Sequence, residues 1–405
     1  MLAMQTPVLN GHILDILTER GFVQQTTDAD ALRAKLSAGP VTFYIGFDPT
    51  ADCLHVGHLL PILCMRWLQL AGHKPIVVQG GGTAMVGDPS GKDKTREILT
   101  AEKIEENIAA QKTLFGKFLD LDEAVVVNNA EWLLSLNYIA FLRDIGRHFS
   151  VNRMLASSGA QQRLERGQGY SFIEFNYHLL QSYDFLELNR RYGCTLQCGG
   201  DDQWFNILGG VDLVRRETES TAHAMTIPLL LTADGKKMGK TEKGAVWIDG
   251  ERLKPYDYYQ YWVNVHDDDV IRLMKLYTFL PMERIKALAA LTGADIRTAK
   301  HVLAYEATVL AHGEAAAKAA QAAAKAAFTG GASADMPTLS AAFPVSVIEV
   351  LVDSGLAKSK GAARRLIKGG GVRLGAAKIS DPAALLEGEE VVWAGKKRCV
   401  RVVGA

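Results

Sequence analysis

Two histidines three residues apart, His55 and His58, flank Gly57 at the end of the string Tyr44-Ile45-Gly46-Phe47-Asp48-Pro49-Thr50-Ala51-Asp52-Cys53-Leu54-His55-Val56-Gly57-His58. The string leads from a strand-like segment into a helical one. A helix start offers unsatisfied N–H groups and partial positive charge, a natural seat for phosphate, and Pro61 in the first turn forfeits no hydrogen bond. Gly57 leaves room for an adenine ring or a phosphate to approach the backbone. Taken alone, the pair reads as surface or core histidines. Three further clusters share this double meaning. Gly80-Gly81-Gly82, followed by Gly87-Asp88-Pro89-Ser90-Gly91-Lys92, hints at a phosphate loop without the Walker spacing, and alone reads as a turn. Gly199-Gly200-Asp201-Asp202-Gln203-Trp204 sets adjacent carboxylates after a strand, where helix capping would also explain them. Asp234-Gly235-Lys236-Lys237-Met238-Gly239-Lys240-Thr241 is a glycine-flanked basic loop that alone reads as a solvated turn.

The elements that must position these clusters follow from hydropathy. VTFYIGF, PIVVQGG, AVVVNN and CTLQCGG read as strands, and the stretches 57–71, 102–119, 138–149, 172–190 and 202–217 read as helices. Such alternation predicts an α/β fold, a mainly parallel sheet with helices on both faces and ligands beyond the carboxyl ends of the strands. Several of the clusters sit there. Beyond residue 250 the pattern is helical, ending in EAAAKAAQAAAKAA, whose alanines favour a helix over a tail. Residues 329–344 have the Gly, Ser and Pro content of a linker, and apolar periodicity resumes at 345 with basic residues interleaved.

Composition narrows the class. The chain has 405 residues, long enough for two or three domains of about 150 residues each. With 48% hydrophobic and 22% charged residues it is neither disordered nor fibrous. The densest apolar run, Leu59 to Met65, contains Pro61 and stops at Arg66, too short for a membrane span, and MLAMQTPVLNGH lacks the features of a secretory leader. A cytoplasmic protein is expected. Five scattered cysteines do not make a disulfide framework, and Cys194 with Cys198 reads as two small core side chains, so no structural metal is expected. The 45 basic and 45 acidic side chains balance overall, yet residues 345–405 hold 11 basic and 6 acidic, a net of +5 against −5 for the rest. A basic tail on an acidic body suggests contact with a polyanion.

The four clusters, in this order and on this fold, resemble the class I aminoacyl-tRNA synthetases. His55-Val56-Gly57-His58 is similar to the family's HIGH motif, and Lys237-Met238-Gly239-Lys240-Thr241 to its KMSKS loop, with Gly239 at the serine position. YIGFDPTADCLHVGH, GDPSGK, FLRDIGRHFSVNRM, NYHLLQSYDFL, GGDDQWFNI and DGKKMGKT narrow the resemblance to the bacterial tyrosyl branch, over nearly the whole chain. The resemblance implies a Rossmann-like catalytic domain over 1–250, an α-helical anticodon-side domain over 251–328, the linker 329–344, and a small α+β, S4-like RNA-binding domain over 345–405.

It also implies roles. Tyr44 and Asp184 would bond the phenol of L-tyrosine, Asp88, Tyr177 and Gln181 its ammonium, and Gln203 would lie near its carboxylate. Thr50, His55, Lys237 and Lys240 would act on the ATP phosphates, with Lys92 and Arg96 as added contacts, while His58 and Asp202 match contacts to the ribose and adenosine end. Gly46, Asp48, Gly57 and Gly200 complete the expected ATP site. Mg²⁺ would accompany the ATP. Ile45 stands where some relatives carry cysteine, which removes a polar contact near the ribose. Lys358, Lys360, Arg364 and Arg365, on a basic amphipathic stretch, would meet the phosphates of tRNA(Tyr), and a homodimer without membrane association is expected. A tryptophanyl enzyme is the nearest alternative, although an indole only donates whereas a Tyr–Asp pair suits a phenol. A noncatalytic RNA-binding relative would have little reason to keep both histidines, Lys237 and Lys240, and another adenylyl-forming enzyme no use for the basic module.

Overall fold

The computed structural model describes residues 7, 9–88, 99–167, 171–231, 238–241, 244–329, 337–375, 377–395 and 398–405. They form two compact units, one of residues up to 252 together with 265–299, the other of 253–264 together with 300–405.

The first unit is built on a six-stranded sheet of β1 (Gln25–Thr26), β2 (Thr42–Phe47), β3 (Lys74–Gln79), β4 (Val125–Asn128), β5 (Leu196–Gly200) and β6 (His223–Ile227), in the spatial order β1-β6-β5-β2-β3-β4. Every pairing is parallel except β1 with β6. The chain runs outward from β2 through β3 to β4 and then returns to place β5 on the other side of β2. The sheet therefore has its switch point between β2 and β5, where the connections diverge and leave a crevice at the strand ends. All four predicted strands form. The two additional strands, β1 and β6, escaped the reading because a two-residue edge strand has no periodicity, and HAMTI carries histidine and threonine although all five residues are buried.

Four helices position the crevice. Val56–Leu70 follows β2, with Pro61 inside the helix rather than in its first turn, so that its missing N–H does forfeit a helical bond, and Ala101–Phe115 precedes β4. Phe172–Tyr192 starts at a capping box between Ser171 and Glu174 and stops at Gly193, whose φ of 62° gives a left-handed cap. Trp204–Thr218 follows β5. The expected turn at Gly80–Gly82 is in part a short helix, Gly81–Ala84, capped at the side by Asn129, whose Oδ1 accepts from the Gly82 N–H at 2.8 Å.

Two small strands, β7 (Lys240–Thr241) and β8 (Gly244–Ala245), form a hairpin in the same unit. In the second unit the alanine-rich stretch is the helix Glu314–Thr329, held by a stripe of buried Ala317, Ala320, Ala323 and Ala324 rather than by propensity alone. The chain end is a five-stranded sheet, β12-β11-β14-β15-β9, of β9 (Thr338–Ala341), β11 (Val372–Leu374), β12 (Ala377–Ile379), β14 (Glu390–Ala394) and β15 (Arg398–Gly404), beside the small pair β10 (Val345–Ser346) and β13 (Leu385–Leu386). Within the segment expected as a linker, Thr338–Ala341 pairs in parallel with β15. The sheet packs Val372, Val392, Val400 and Val402 with Val347, Leu351, Ala363 and Ile367 of the helices Val347–Asp353 and Lys360–Lys368. Lys358, Lys360, Arg364 and Arg365 stay on the exposed side. Among the described residues, no helix is long and apolar enough to cross a membrane.

Candidate active site

A cavity of about 230 Å³ opens at the switch point of the first unit. Of the residues expected at the site, Tyr44, Gly46, Asp48, Thr50, His58, Asp88, Tyr177, Gln181, Asp184, Gly200 and Gln203 line it. Tyr44, Gly46 and Gly200 lie on β2 and β5, His58 on Val56–Leu70 and Asp88 beyond Gly81–Ala84, while Tyr177, Gln181 and Asp184 recur at helical spacing on one face of Phe172–Tyr192.

Its deep end is dry and polar. Tyr44, 2% exposed, lies on β2 between Ile76 of β3 and Gln197 of β5, and its hydroxyl has no hydrogen-bond partner among the described residues. Asp184, 4% exposed, accepts from Asn129 Nδ2 at 3.0 Å and from Trp132 Nε1 at 2.7 Å. Burial raises its carboxyl to about 7, and these two donors oppose the shift without cancelling it. Burial, then the neighbouring Asp184 carboxylate, pushes the Tyr44 phenol well above its ordinary value, so it remains a hydroxyl. An orphaned donor beside a buried acceptor is incomplete, and a ligand group that both donates and accepts completes it.

The middle of the cavity is an interlocked polar wall. Asp48 accepts from Thr83 Oγ1 at 2.9 Å and from the Tyr177 hydroxyl at 3.3 Å. Asp48, expected at the nucleotide, thus sits against a residue expected at the ammonium. Gln203 Nε2 donates to Asp88 Oδ2 at 2.9 Å.

The open end is built from backbone. His55 is the N-cap of Val56–Leu70, its Nδ1 accepting from the Gly57 N–H at 3.0 Å, while His58 Nδ1 accepts from the His55 N–H at 3.3 Å. The rings stack with centroids 3.9 Å apart. Because each Nδ1 accepts, the proton of each neutral ring sits on Nε2, which makes both histidines donors at their outer nitrogen. The segment after Met238 docks on this helix start: the Val56 N–H donates to Val246 O at 2.9 Å, and His55 forms a β-bridge with Trp247. Gly239 has φ +88°, and a Cβ there would stand 2.9 Å from the Gly57 nitrogen. Position 239 is therefore a tight contact that excludes a side chain.

His55, Gly57 and Asp202 border the cavity without lining it; Asp202 lies in the single turn Asp201–Gln203, beside Gly200. Lys240 is the first residue of β7, paired with Ala245. Lys92, Arg96 and Lys237 lie outside the described residues. Sequence reasoning missed Asn129, Trp132, Thr83 and Gln197. Asn128-Asn129 directly follows a predicted strand, the same signal that singled out the other clusters, whereas Trp132 and Gln197 have no local mark.

Residues 36–329 match the family model described as tRNA synthetases class I (W and Y), and residues 348–392 match the S4 domain. The chain is 50% identical over 404 residues to a tyrosine–tRNA ligase of Clostridium kluyveri, covering 97% of this chain and 99% of that protein. It is 47% identical over 407 residues to one of Clostridium tetani, covering 98% and 100%. Among solved structures it is similar to a C-terminally truncated mitochondrial tyrosyl-tRNA synthetase of Aspergillus nidulans, with a TM-score of 0.69 and 31% identity over 77% of this chain and 93% of that one. A tryptophanyl-tRNA synthetase of Giardia lamblia shares the fold, with a TM-score of 0.56 and 13% identity over 76% and 86%.

Proposed function

The chain belongs to the class I tRNA synthetases of the tryptophanyl and tyrosyl family, and from that premise we propose how its cavity performs tyrosine–tRNA ligation. The activity has two steps. A carboxylate oxygen of tyrosine attacks the α-phosphorus of ATP, the bond to the β-phosphate oxygen breaks, and pyrophosphate leaves with the electron pair. A hydroxyl of the terminal adenosine of tRNA then attacks the carbonyl carbon of tyrosyl-adenylate and displaces AMP.

One observation carries the substrate assignment: the orphaned Tyr44 hydroxyl stands beside the buried Asp184 carboxylate. A phenol accepts from the first and donates to the second, whereas phenylalanine leaves the Tyr44 hydroxyl unpaired and gives Asp184 no donor beyond Asn129 and Trp132, and an indole satisfies only the acceptor. Asp88, Tyr177 and Gln181 take the ammonium, Gln203 faces the carboxylate, and Asp48 steadies Tyr177. The nucleophile is ionised at neutral pH, so no general base is required for activation, and the rate rests on positioning and on charge stabilisation of the departing pyrophosphate. Thr50, the outer N–H of His55, Lys237 and Lys240 serve that charge, with Lys92 and Arg96 as further phosphate contacts. His58 and Asp202 address the ribose, and Gly46, Gly57 and Gly200 let the nucleotide approach the backbone. Mg²⁺ comes as part of the nucleotide substrate.

Exchange of labelled pyrophosphate into ATP, assayed with each amino acid in turn, is expected to require tyrosine. Exchange driven equally well by phenylalanine or tryptophan would overturn the assignment.

The module boundaries 1–250, 251–328, 329–344 and 345–405 describe catalytic, anticodon-side, linking and RNA-binding roles in this reading, and Lys358, Lys360, Arg364 and Arg365 meet tRNA phosphates. Arg364→Glu with Arg365→Glu should leave pyrophosphate exchange intact. It should cut tRNA charging roughly tenfold and flatten the slope of log K against log[salt] by about 2. Unchanged charging at several salt concentrations would remove these residues from the RNA surface. A homodimer is supported by the large apolar side chains Leu134, Tyr138, Ile139, Val151, Phe172 and Ile173, all more than half exposed in neighbouring segments of the first unit. A cytoplasmic setting is supported by five unbridged cysteines, all buried.

A further inference from the structure

His178 sits one residue beyond Tyr177 on Phe172–Tyr192 and so points away from the tyrosine cavity, which it does not line. It is clamped. Its ring stacks on Phe205 with centroids 4.2 Å apart and meets Phe149 edge-on at 5.3 Å. On the third side is Gly209, where a Cβ would fall 2.4 Å from the His178 Cε1, so only glycine at 209 admits the ring in this place. The imidazole is 8% exposed, and burial lowers it to about 4, so it is neutral at physiological pH with one N–H to place.

That proton has a defined destination. His178 Nδ1 lies 3.2 Å from Asn206 Oδ1, Asn206 Nδ2 donates to Gln203 Oε1 at 3.2 Å, and Gln203 Nε2 donates to Asp88 Oδ2 at 2.9 Å. The direction is forced from the Asp88 end. A carboxylate only accepts, so Gln203 turns its NH₂ toward Asp88 and its oxygen toward Asn206. Asn206 must then present its own NH₂, which leaves its oxygen facing His178 and requires a donor there. The imidazole N–H meets that requirement with the proton on Nδ1, the opposite tautomer from His55 and His58.

We propose that His178 is a positioning residue for amino-acid activation: through Asn206 it reinforces the amide orientation of Gln203 that Asp88 sets, so that an N–H rather than a carbonyl oxygen faces the carboxylate of the bound amino acid. The inference rests on the tyrosine reading of the cavity. His178 touches neither substrate, and its effect is confined to the end of the ligand that Gln203 meets. A Gln203 amide turned the other way sets its oxygen against Asp88 and against the substrate carboxylate, two repulsions at once.

The test compares two substitutions of nearly equal shape. In His178→Asn the Nδ2 stands two bonds beyond Cβ, as Nδ1 does in histidine, and can donate to Asn206, whereas His178→Leu has the same branching and no donor. In pyrophosphate exchange, His178→Leu should raise the KM for tyrosine roughly five- to tenfold with kcat within about twofold, and His178→Asn should restore KM to within about twofold of wild type. Asn206→Asp, which accepts from His178 but cannot donate to Gln203, should raise KM at least as much. Competitive inhibition by tyramine, which keeps the phenol and the ammonium but lacks the carboxylate, should weaken in each variant by clearly less than the KM for tyrosine rises. Equal KM values for the leucine and asparagine variants, or tyramine weakened by the same factor as tyrosine, would reduce His178 to a packing residue and overturn the proposal. Absence of tyrosine-dependent exchange in the wild-type protein would instead overturn the tyrosine reading on which it rests.

Discussion

The two ends of the cavity are made from different materials. At the deep end Tyr44, Asn129, Trp132 and Asp184 are side chains of buried elements, each locked by a strand register, a helix face or a hydrogen bond of 2.7 to 3.0 Å. At the open end the described groups are a helix start, two stacked histidines and a docked glycine segment. The difference matches the demands of the two substrates. Telling a phenol from a phenyl ring requires groups whose desolvation has already been incurred and which are costly to leave unpaired. Holding a triphosphate that must leave as pyrophosphate requires charge that arrives with the transition state. In the proposed reading, selection among amino acids rests on buried groups already in place, and the chemistry on the helix start and the segment docked against it.

The sharpest way to break this contrast is at Asp184. Asp184→Ala removes the acceptor of Asn129, of Trp132 and of the phenol together, leaving buried donors unmatched. The kcat/KM for tyrosine should fall by roughly two to three orders of magnitude, and the ratio of tyrosine to phenylalanine should collapse with it. A ratio that survives would mean that the deep end does not select. Next comes the open end. Gly239→Ser restores the hydroxyl of the generic family motif, but at φ +88° and 2.9 Å from a backbone nitrogen there is no room for its Cβ. Docking of the segment on Gly57 should fail, with adenylate formation slowed about tenfold or more and tyrosine affinity little changed, as pre-steady-state kinetics would resolve. Equal losses in both would show that the ends are not separable.

Legibility in the sequence follows the same divide. The open end was readable because glycine, histidine and lysine at fixed spacing after a strand are constrained by local backbone geometry. Tyr44 and Asp184 became readable only through the resemblance, since a tyrosine in VTFYIGF reads as core and an aspartate in a 21-residue helix as a surface charge. Asn129 carries a strand-end signal, but Trp132 and Gln197 were not readable, because what brings them to the cavity is the parallel pairing that sets β4 and β5 on opposite sides of β2 and β3. The strand β9 was hidden for a similar reason: TLSA has no long period, and its partner β15 is the last strand of the chain. In each case the missing information is tertiary register, which no window of sequence contains.

A milder change separates the two members of the phenol site. Tyr44→Phe deletes a hydroxyl that is unpaired in the free protein, so it should leave the melting temperature unchanged or slightly raised. It should still cost about tenfold in kcat/KM for tyrosine, because the phenol oxygen then loses its donor. A drop in melting temperature of the size seen for Asp184→Ala would show that the hydroxyl already has a structural partner and is not held in reserve for substrate.

The smallest expected effect is one of pH. Asp184 titrates at about 7 in the free protein, raised by burial from an ordinary 3.8. Since the raised group is an acid, its proton is bound more tightly folded than unfolded, and its contribution to stability is lost as pH rises from about 4 through about 7. Substrate reverses the preference. The phenol of tyrosine stays protonated until far higher pH and donates, so it needs Asp184 as a carboxylate, and below 7 it must first displace the carboxyl proton. The KM for tyrosine should therefore fall by up to about tenfold between pH 6 and pH 8, and the dependence should vanish in Asp184→Asn, whatever the absolute activity of that variant. Tyr44→Phe should keep the pH profile while shifting its level, because it removes the donor and leaves the titrating acceptor in place. A flat profile in the wild type, or the same slope in Asp184→Asn, would locate the proton elsewhere and show that the deep end meets the phenol with a group already ionised.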